Sequence, residues 1–156
     1  MSEKTILPAG VEHLDAIAAL EEQCFSCPWP RDLFARQLQS PRHVLLCALE
    51  GEELLGYTGF EYVLDEGYIG NVAVNPAHRR QGLGRALVQA MIDKAREREL
   101  AFLTLEVRAG NTPARALYES MGFQTVGVRK NYYEKPTEDA ILMTVFLSRE
   151  GEENLC

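Results

Sequence analysis

Arg79-Arg80-Gln81-Gly82-Leu83-Gly84-Arg85 decides how this chain reads. An apolar segment precedes it, Ile69-Gly70-Asn71-Val72-Ala73-Val74, closed by Asn75-Pro76. Apolar residues follow at Leu83, Ala86, Leu87, Ala90, Met91 and Ala95, which is helical spacing. The pattern predicts a glycine-rich loop between a strand and the first turn of a helix. Unpaired N–H groups and the helix dipole put positive potential at such a turn. Gly82 and Gly84 remove side chains that would block a ligand, and Arg79, Arg80 and Arg85 add full charges. The stretch reads as a receptor for phosphate or pyrophosphate. An ordinary strand-to-helix turn with exposed arginines has the same outline.

Two common phosphate loops fail on residue identity. A P-loop ends in Gly-Lys-Ser/Thr, but Arg85 follows Gly84. A dinucleotide fingerprint needs a third glycine where Leu87 stands. The pattern Gln/Arg-x-x-Gly-x-Gly/Ala is met by Arg79-Arg80-Gln81-Gly82-Leu83-Gly84. In this it resembles the acetyl-coenzyme A loop of the GNAT N-acetyltransferase superfamily.

The 156 residues suit one domain with a real core. The expected division is a single domain over 1–147 followed by an acidic tail, 148–156. No apolar run approaches the roughly 18–20 residues of a membrane span, and Met1-Ser2-Glu3-Lys4 does not open a signal peptide. A cytosolic protein with no membrane partner is expected. Cys24, Cys27, Cys47 and Cys156 form no spaced framework and read as free thiols. The net charge of -7 argues against a nucleic-acid partner. The Arg79–Arg85 cluster is the one dense basic patch, and the acidic remainder favours a cationic substrate such as an amine or basic peptide.

Taken in order, Thr5–Leu7 is an edge strand and Val11–Phe25 a helix. Phe25-Ser26-Cys27-Pro28-Trp29-Pro30 is a stiff turn carrying the single tryptophan. Leu33–Leu38 marks a short helix, and His43–Leu49 with Leu54–Val63 a hairpin. The strand Tyr68–Val74 enters the motif, whose helix runs to about Glu99. Phe102–Val107 is a strand; Asn111-Thr112 and Pro113 open a helix that ends at Met121 before Gly122. Phe123–Val128 and Ala140–Leu147 are the last strands. Hairpins first and a β–α–β unit around the loop predict an α/β (α+β) domain. Its sheet would be mixed and twisted, with about six or seven strands and helices on both faces. This is also the order expected of the GNAT fold.

Acetylating an amine with a thioester requires a held donor, a neutral amine, donors for the oxyanion and a proton for the departing thiolate. The edge of Val72-Ala73-Val74 can pair with the amides of a pantetheine arm, and a backbone N–H there can serve the oxyanion. It can equally be plain buried strand. Glu106 lies in Leu103-Thr104-Leu105-Glu106-Val107-Arg108, on the face opposite the leucines, where a carboxylate can take a proton directly or through water. A solvated Glu paired with Arg fits the same spacing. Tyr118 can protonate a thiolate or simply pack its ring in the core.

Further elements appear in order: Phe25-Ser26-Cys27-Pro28-Trp29, Asn71–Pro76, Arg80–Arg85, Leu105-Glu106-Val107-Arg108, Asn111 with Ala116–Phe123, Arg129-Lys130-Asn131-Tyr132-Tyr133 and Glu138–Met143. Together they resemble the RimI-type family of ribosomal-protein-alanine N-acetyltransferases, over roughly residues 20 to 145. The resemblance implies that Glu106 is the proton acceptor and Tyr118 the proton donor to the coenzyme A thiolate. It implies acetyl-coenzyme A contacts at Val72, Ala73, Val74, Arg79, Arg80, Gln81, Gly82, Leu83, Gly84, Arg85 and Asn111. It implies a protein N-terminus as acceptor, the alanine of small-subunit ribosomal protein number eighteen, and no metal. An α-amine has a reference pKa of about 8 against about 10.4 for lysine, so a lone Glu suffices.

Pro28-Trp29 and Tyr132-Tyr133 favour a peptide acceptor, which makes Trp29, Tyr132 and Tyr133 candidate substrate contacts. The turn Asn131–Thr137 is expected to border the peptide. Cys24-x-x-Cys27 lies outside the family pattern and is a weak metal or redox signal. His13, His43 and His78 read as bystanders. Two alternatives stand beside the first reading: a GNAT enzyme for a small-molecule amine, and a non-catalytic acetyl-coenzyme A-binding module.

Overall fold

The computed structural model describes residues 4–79 and 81–147. The strands are β1 (Lys4–Pro8), β2 (His43–Glu50), β3 (Glu53–Val63), β4 (Glu66–Val74), β5 (Phe102–Arg108), β6 (Gln124–Tyr133) and β7 (Glu138–Phe146). The helices are α1 (Leu14–Cys24), α2 (Arg31–Gln39), α3 (Leu83–Glu97) and α4 (Thr112–Ser120). The strands form one mixed sheet in the order β1-β2-β3-β4-β5-β7-β6. β4 runs parallel to β5, paired from Glu66↔Phe102 to Tyr68↔Thr104, while β1–β2, β2–β3, β5–β7 and β6–β7 are antiparallel. Sequence order and sheet class are as expected of the GNAT fold.

The chain divides into two compact units. The first holds the residues up to Glu61 with Gly70–Met91. Its sheet carries helices on both faces. On one face, Leu14, Ile17, Leu20 and Phe34 of α1 and α2 pack with Leu45, Cys47, Tyr57 and Ala73. On the other, Leu83 and Leu87 of α3 pack with Ala48 and Leu55. A register shift at Ala48/Leu49 leaves Leu55 as the extra residue of β3 between the pairs Ala48↔Gly56 and Leu49↔Leu54. The second unit holds Tyr62–Ile69 and the chain from Ile92. Here Leu103, Leu105 and Val107 are buried, while Thr104, Glu106 and Arg108 alternate to the less buried face of β5.

Two elements differ from the expected boundaries. Val11–His13 is a 3-10 turn rather than the start of α1. The His13 ring accepts the Gly10 N–H at 2.9 Å, a local bond that competes with regular helix. β6 extends to Tyr133, so Asn131, Tyr132 and Tyr133 stand on a strand and not in the turn. Asn131 takes φ 54, and the ladder to β7 shifts between Arg129 and Tyr133. That irregularity hid the strand from a periodicity reading. The acidic segment 148–156 lies outside the described residues.

Candidate active site

In the first unit the motif loop is built as its sequence suggests. Asn75 follows β4, and its side chain accepts the Ala77 N–H at 2.9 Å, capping a short turn at Pro76–His78. Gly82 has φ +81, a backbone region that L side chains enter only with strain. Its carbonyl accepts the Ala86 N–H at 3.0 Å and starts α3. Leu83 points into the core, which leaves only its backbone for a ligand. Gln81 is exposed and accepts from Lys4 Nζ at 2.6 Å, Gly84 is half-buried, and Arg85 is exposed. Arg79 Nε donates to the Val74 carbonyl at 3.2 Å, so this arginine also ties down the end of β4. Arg80 lies outside the described residues. Ala73 is core, whereas Val72 and Val74 are half-buried.

The same unit contains a buried carboxylate that sequence reasoning missed. Glu21 of α1 is 0% exposed. Its oxygens accept four hydrogen bonds: one from the Tyr57 hydroxyl, two from Asn71 Nδ2 at 3.0 and 2.9 Å, and one from the Trp29 backbone N–H at 2.9 Å. Burial pushes the Glu21 carboxyl above its ordinary value, opposed by the bonds from Trp29 and Asn71. A signal was present: Glu21 follows Ile17 by four positions and Leu14 by seven, on the apolar stripe of α1. Trp29 is half-buried; its ring packs against Phe34 at 6.0 Å and lies over Gly70. A Cβ on Gly70 would come within 3.1 Å of that ring.

In the second unit Glu106 stands with Tyr132 and Tyr133. Tyr132 hydrogen-bonds to it, which raises that phenol's pKa. Arg129 Nε stands 3.8 Å from Glu106 Oε1 and its guanidinium 5.7 Å from the Tyr132 ring. Tyr133 stacks edge-on against Tyr132 at 5.1 Å, and burial pushes its phenol up to about 12. Tyr118 of α4 is buried against Phe123 at 5.4 Å, and burial, then Tyr133, moves its phenol upward, so it holds its proton. Asn111 spends its side chain on the cap of α4, accepting the Ala114 N–H at 3.3 Å.

Arg108 was also missed as a contact residue. It donates to the carbonyls of Glu134 and Pro136 at 2.8 and 2.9 Å, lies 4.6 Å from the Tyr133 ring centre and pairs with Glu138 at 3.3 Å. It clasps the turn between β6 and β7. Its place beside Glu106 in Glu-Val-Arg was visible, but the distance of its partners along the chain was not.

Among the described residues, no group of three or more His, Cys, Asp or Glu side chains could hold a metal ion, and no helix is long and apolar enough to cross a membrane. Cys24, Cys27 and Cys47 are free thiols. Burial raises the Cys24 thiol pKa, with Arg79 opposing.

The profile of the acetyltransferase (GNAT) family matches residues 14–123. This chain belongs to the GNAT acetyltransferase family. As a member it is an N-acetyltransferase. It is similar to the [ribosomal protein bS18]-alanine N-acetyltransferase of Escherichia coli K12, 39% identical over 148 residues, covering 92% of this chain and 98% of that one. The Haemophilus influenzae protein of the same name is 35% identical over 131 residues, covering 82% and 88%. The crystal structure of the ribosomal-protein-S18-alanine N-acetyltransferase from Escherichia coli superposes with TM-score 0.89 at 38% identity, over 96% of this chain and 97% of that one. Arabidopsis thaliana NAA60 in complex with a bisubstrate analogue shares the GNAT fold, with TM-score 0.87 at 20% identity over 95% and 100%.

Proposed function

We propose that this GNAT enzyme moves the acetyl group of acetyl-coenzyme A onto the α-amine of a protein N-terminus, specifically the N-terminal alanine of ribosomal protein bS18. The backbone of Val72–Val74 would pair with the pantetheine amides, and N–H groups of Gln81–Arg85 would receive the pyrophosphate. Glu106 accepts a proton from the attacking amine, directly or through water, as the new C–N bond forms at the thioester carbonyl. A backbone N–H at the end of β4 steadies the oxyanion. As the C–S bond breaks, Tyr118 gives its proton to the thiolate. Trp29, Tyr132 and Tyr133 contact the acceptor peptide, and no metal takes part.

The observation that carries the reading is Glu106 itself. A carboxylate stands on the open face of β5, with the Tyr132 hydroxyl bonded to it and a buried, protonated Tyr118 in the same unit. The named activity of the two bacterial relatives supports the choice of acceptor. We read residues 1–147 as one catalytic domain, because the family match takes in residues of both units. A ribosomal acceptor places the reaction in the cytoplasm.

The test is coenzyme A release from acetyl-coenzyme A with three kinds of acceptor. These are a peptide beginning with the alanine of bS18, the same peptide N-terminally blocked but carrying lysine, and free polyamines. Turnover on the free alanine peptide is expected. Turnover on polyamines alone would assign a small-molecule amine, and tight coenzyme binding without turnover would assign a binding module.

A further inference from the structure

We propose that Glu21 is a positioning residue for the acceptor: its buried carboxylate fastens the Trp29 turn to α1, β3 and β4, and peptide binding depends on that fastening. The proposal rests on the reading of Trp29 as a peptide contact.

Three observations in the first unit carry it. First, an acidic side chain is 0% exposed beside a core built of Leu14, Ile17, Leu20, Phe34 and similar residues. A carboxylate is costly to bury unless its oxygens are well bonded, and apolar residues of similar size commonly serve stability as well. Packing alone therefore does not account for glutamate here. Second, its partners come from separate elements: Tyr57 from β3, Asn71 from β4 and the Trp29 backbone from the turn after α1. One carboxylate sets the distance between all of them. Third, the turn is stiff, and the backbone N–H of its tryptophan is held by this carboxylate. Pro28 and Pro30 lack N–H groups, so the Trp29 N–H is the donor available between them. That donor goes to Glu21 Oε2, and the Trp29 ring then seats over Gly70, one residue before Asn71.

The acetyl-coenzyme A side is held by other means. Ala73 sits in the core, Arg79 secures the Val74 carbonyl, and Gly82 starts α3 through the Ala86 N–H. Loosening Glu21 should therefore separate the two substrates.

Glu21→Gln keeps the volume but turns one acceptor oxygen into a donor facing donors. Steady-state kinetics with the alanine peptide should show its KM rising about tenfold, the size expected for losing a bond to a charged group, with the KM for acetyl-coenzyme A within about twofold of wild type. A purely structural role would lower the melting temperature without this split. Unchanged peptide KM, or equal rises for both substrates, overturns the proposal. Trp29→Ala is measured alongside. If it raises the peptide KM and Glu21→Gln does not, the positioning role falls and the acceptor reading stands. If Trp29→Ala changes nothing, or wild type does not turn over the peptide, the acceptor reading falls and the proposal with it. Should Glu21→Gln not fold, Tyr57→Phe removes one donor to the same carboxylate. A peptide-selective KM increase of about threefold supports the proposal, and no change overturns it.

Discussion

Arg129 Nε lies 3.8 Å from Glu106 Oε1, across two strands that both pair with β7. Glu106 stands opposite Leu142 in that ladder and Arg129 opposite Ala140, so the pair is diagonal. The guanidinium side chain is 57% exposed and the carboxylate side chain 29%. Solvent screens such a contact, and its worth to folding is about 0–1 kcal/mol. Arg129→Gln is expected to leave urea unfolding within about 1 kcal/mol of wild type. A larger loss of stability would show that the pair holds the sheet together rather than dressing the carboxylate.

The two proposed proton carriers are separable from coenzyme binding. Glu106→Gln and Tyr118→Phe should each bind acetyl-coenzyme A normally, measured by calorimetry. Each should lose roughly 10²–10⁴-fold in turnover, the range for a missing general acid or base. Wild-type turnover in either variant removes that residue from the mechanism.

Gly82 tests the loop. A Cβ there meets nothing within 4 Å, yet φ is +81. Gly82→Ala therefore costs backbone strain, about 1–2 kcal/mol, rather than a clash. The expected result is a raised KM for acetyl-coenzyme A with the peptide KM unchanged. An unaltered acetyl-coenzyme A KM would mean that this loop geometry does not serve the donor.

Alkaline stability follows from one buried and one half-buried group, Cys47 and Tyr133. Burial, then the charge of Glu12, pushes the Cys47 thiol from 9.0 up to about 11, and burial with Glu106 pushes Tyr133 from 10.0 up to about 12. Each folded value is raised, so each contribution is complete below the unfolded value and disappears as pH climbs through the folded one. Stability should hold to about pH 9 and then fall steadily toward pH 12. Thermal unfolding across that range checks it. Cys47→Ala should flatten the first part of the decline, and an identical slope in that variant would exclude the thiol as its source.

Much of the fold was legible because its signals are local. The alternation Leu103, Leu105, Val107 put Glu106 on the other face of β5 without any tertiary information. Asn111 with Gly122 bracketed α4, and the glycine loop located the start of α3. The extension of β6 was not legible, because an irregular register and a positive φ at Asn131 break the period of two on which a strand reading depends.

The sequence by itself determined the order of elements, the family resemblance and the identity of the chemical groups, since periodicity, caps and glycine placement act over a few residues. The tertiary structure decided which side chains meet. Tyr57 and Asn71 reach Glu21 from 36 and 50 positions away, and Arg108 clasps carbonyls 26 and 28 positions on. Only chain folding sets distances between residues so far apart. A buried carboxylate such as that of Glu21 becomes favourable only once those distant donors surround it.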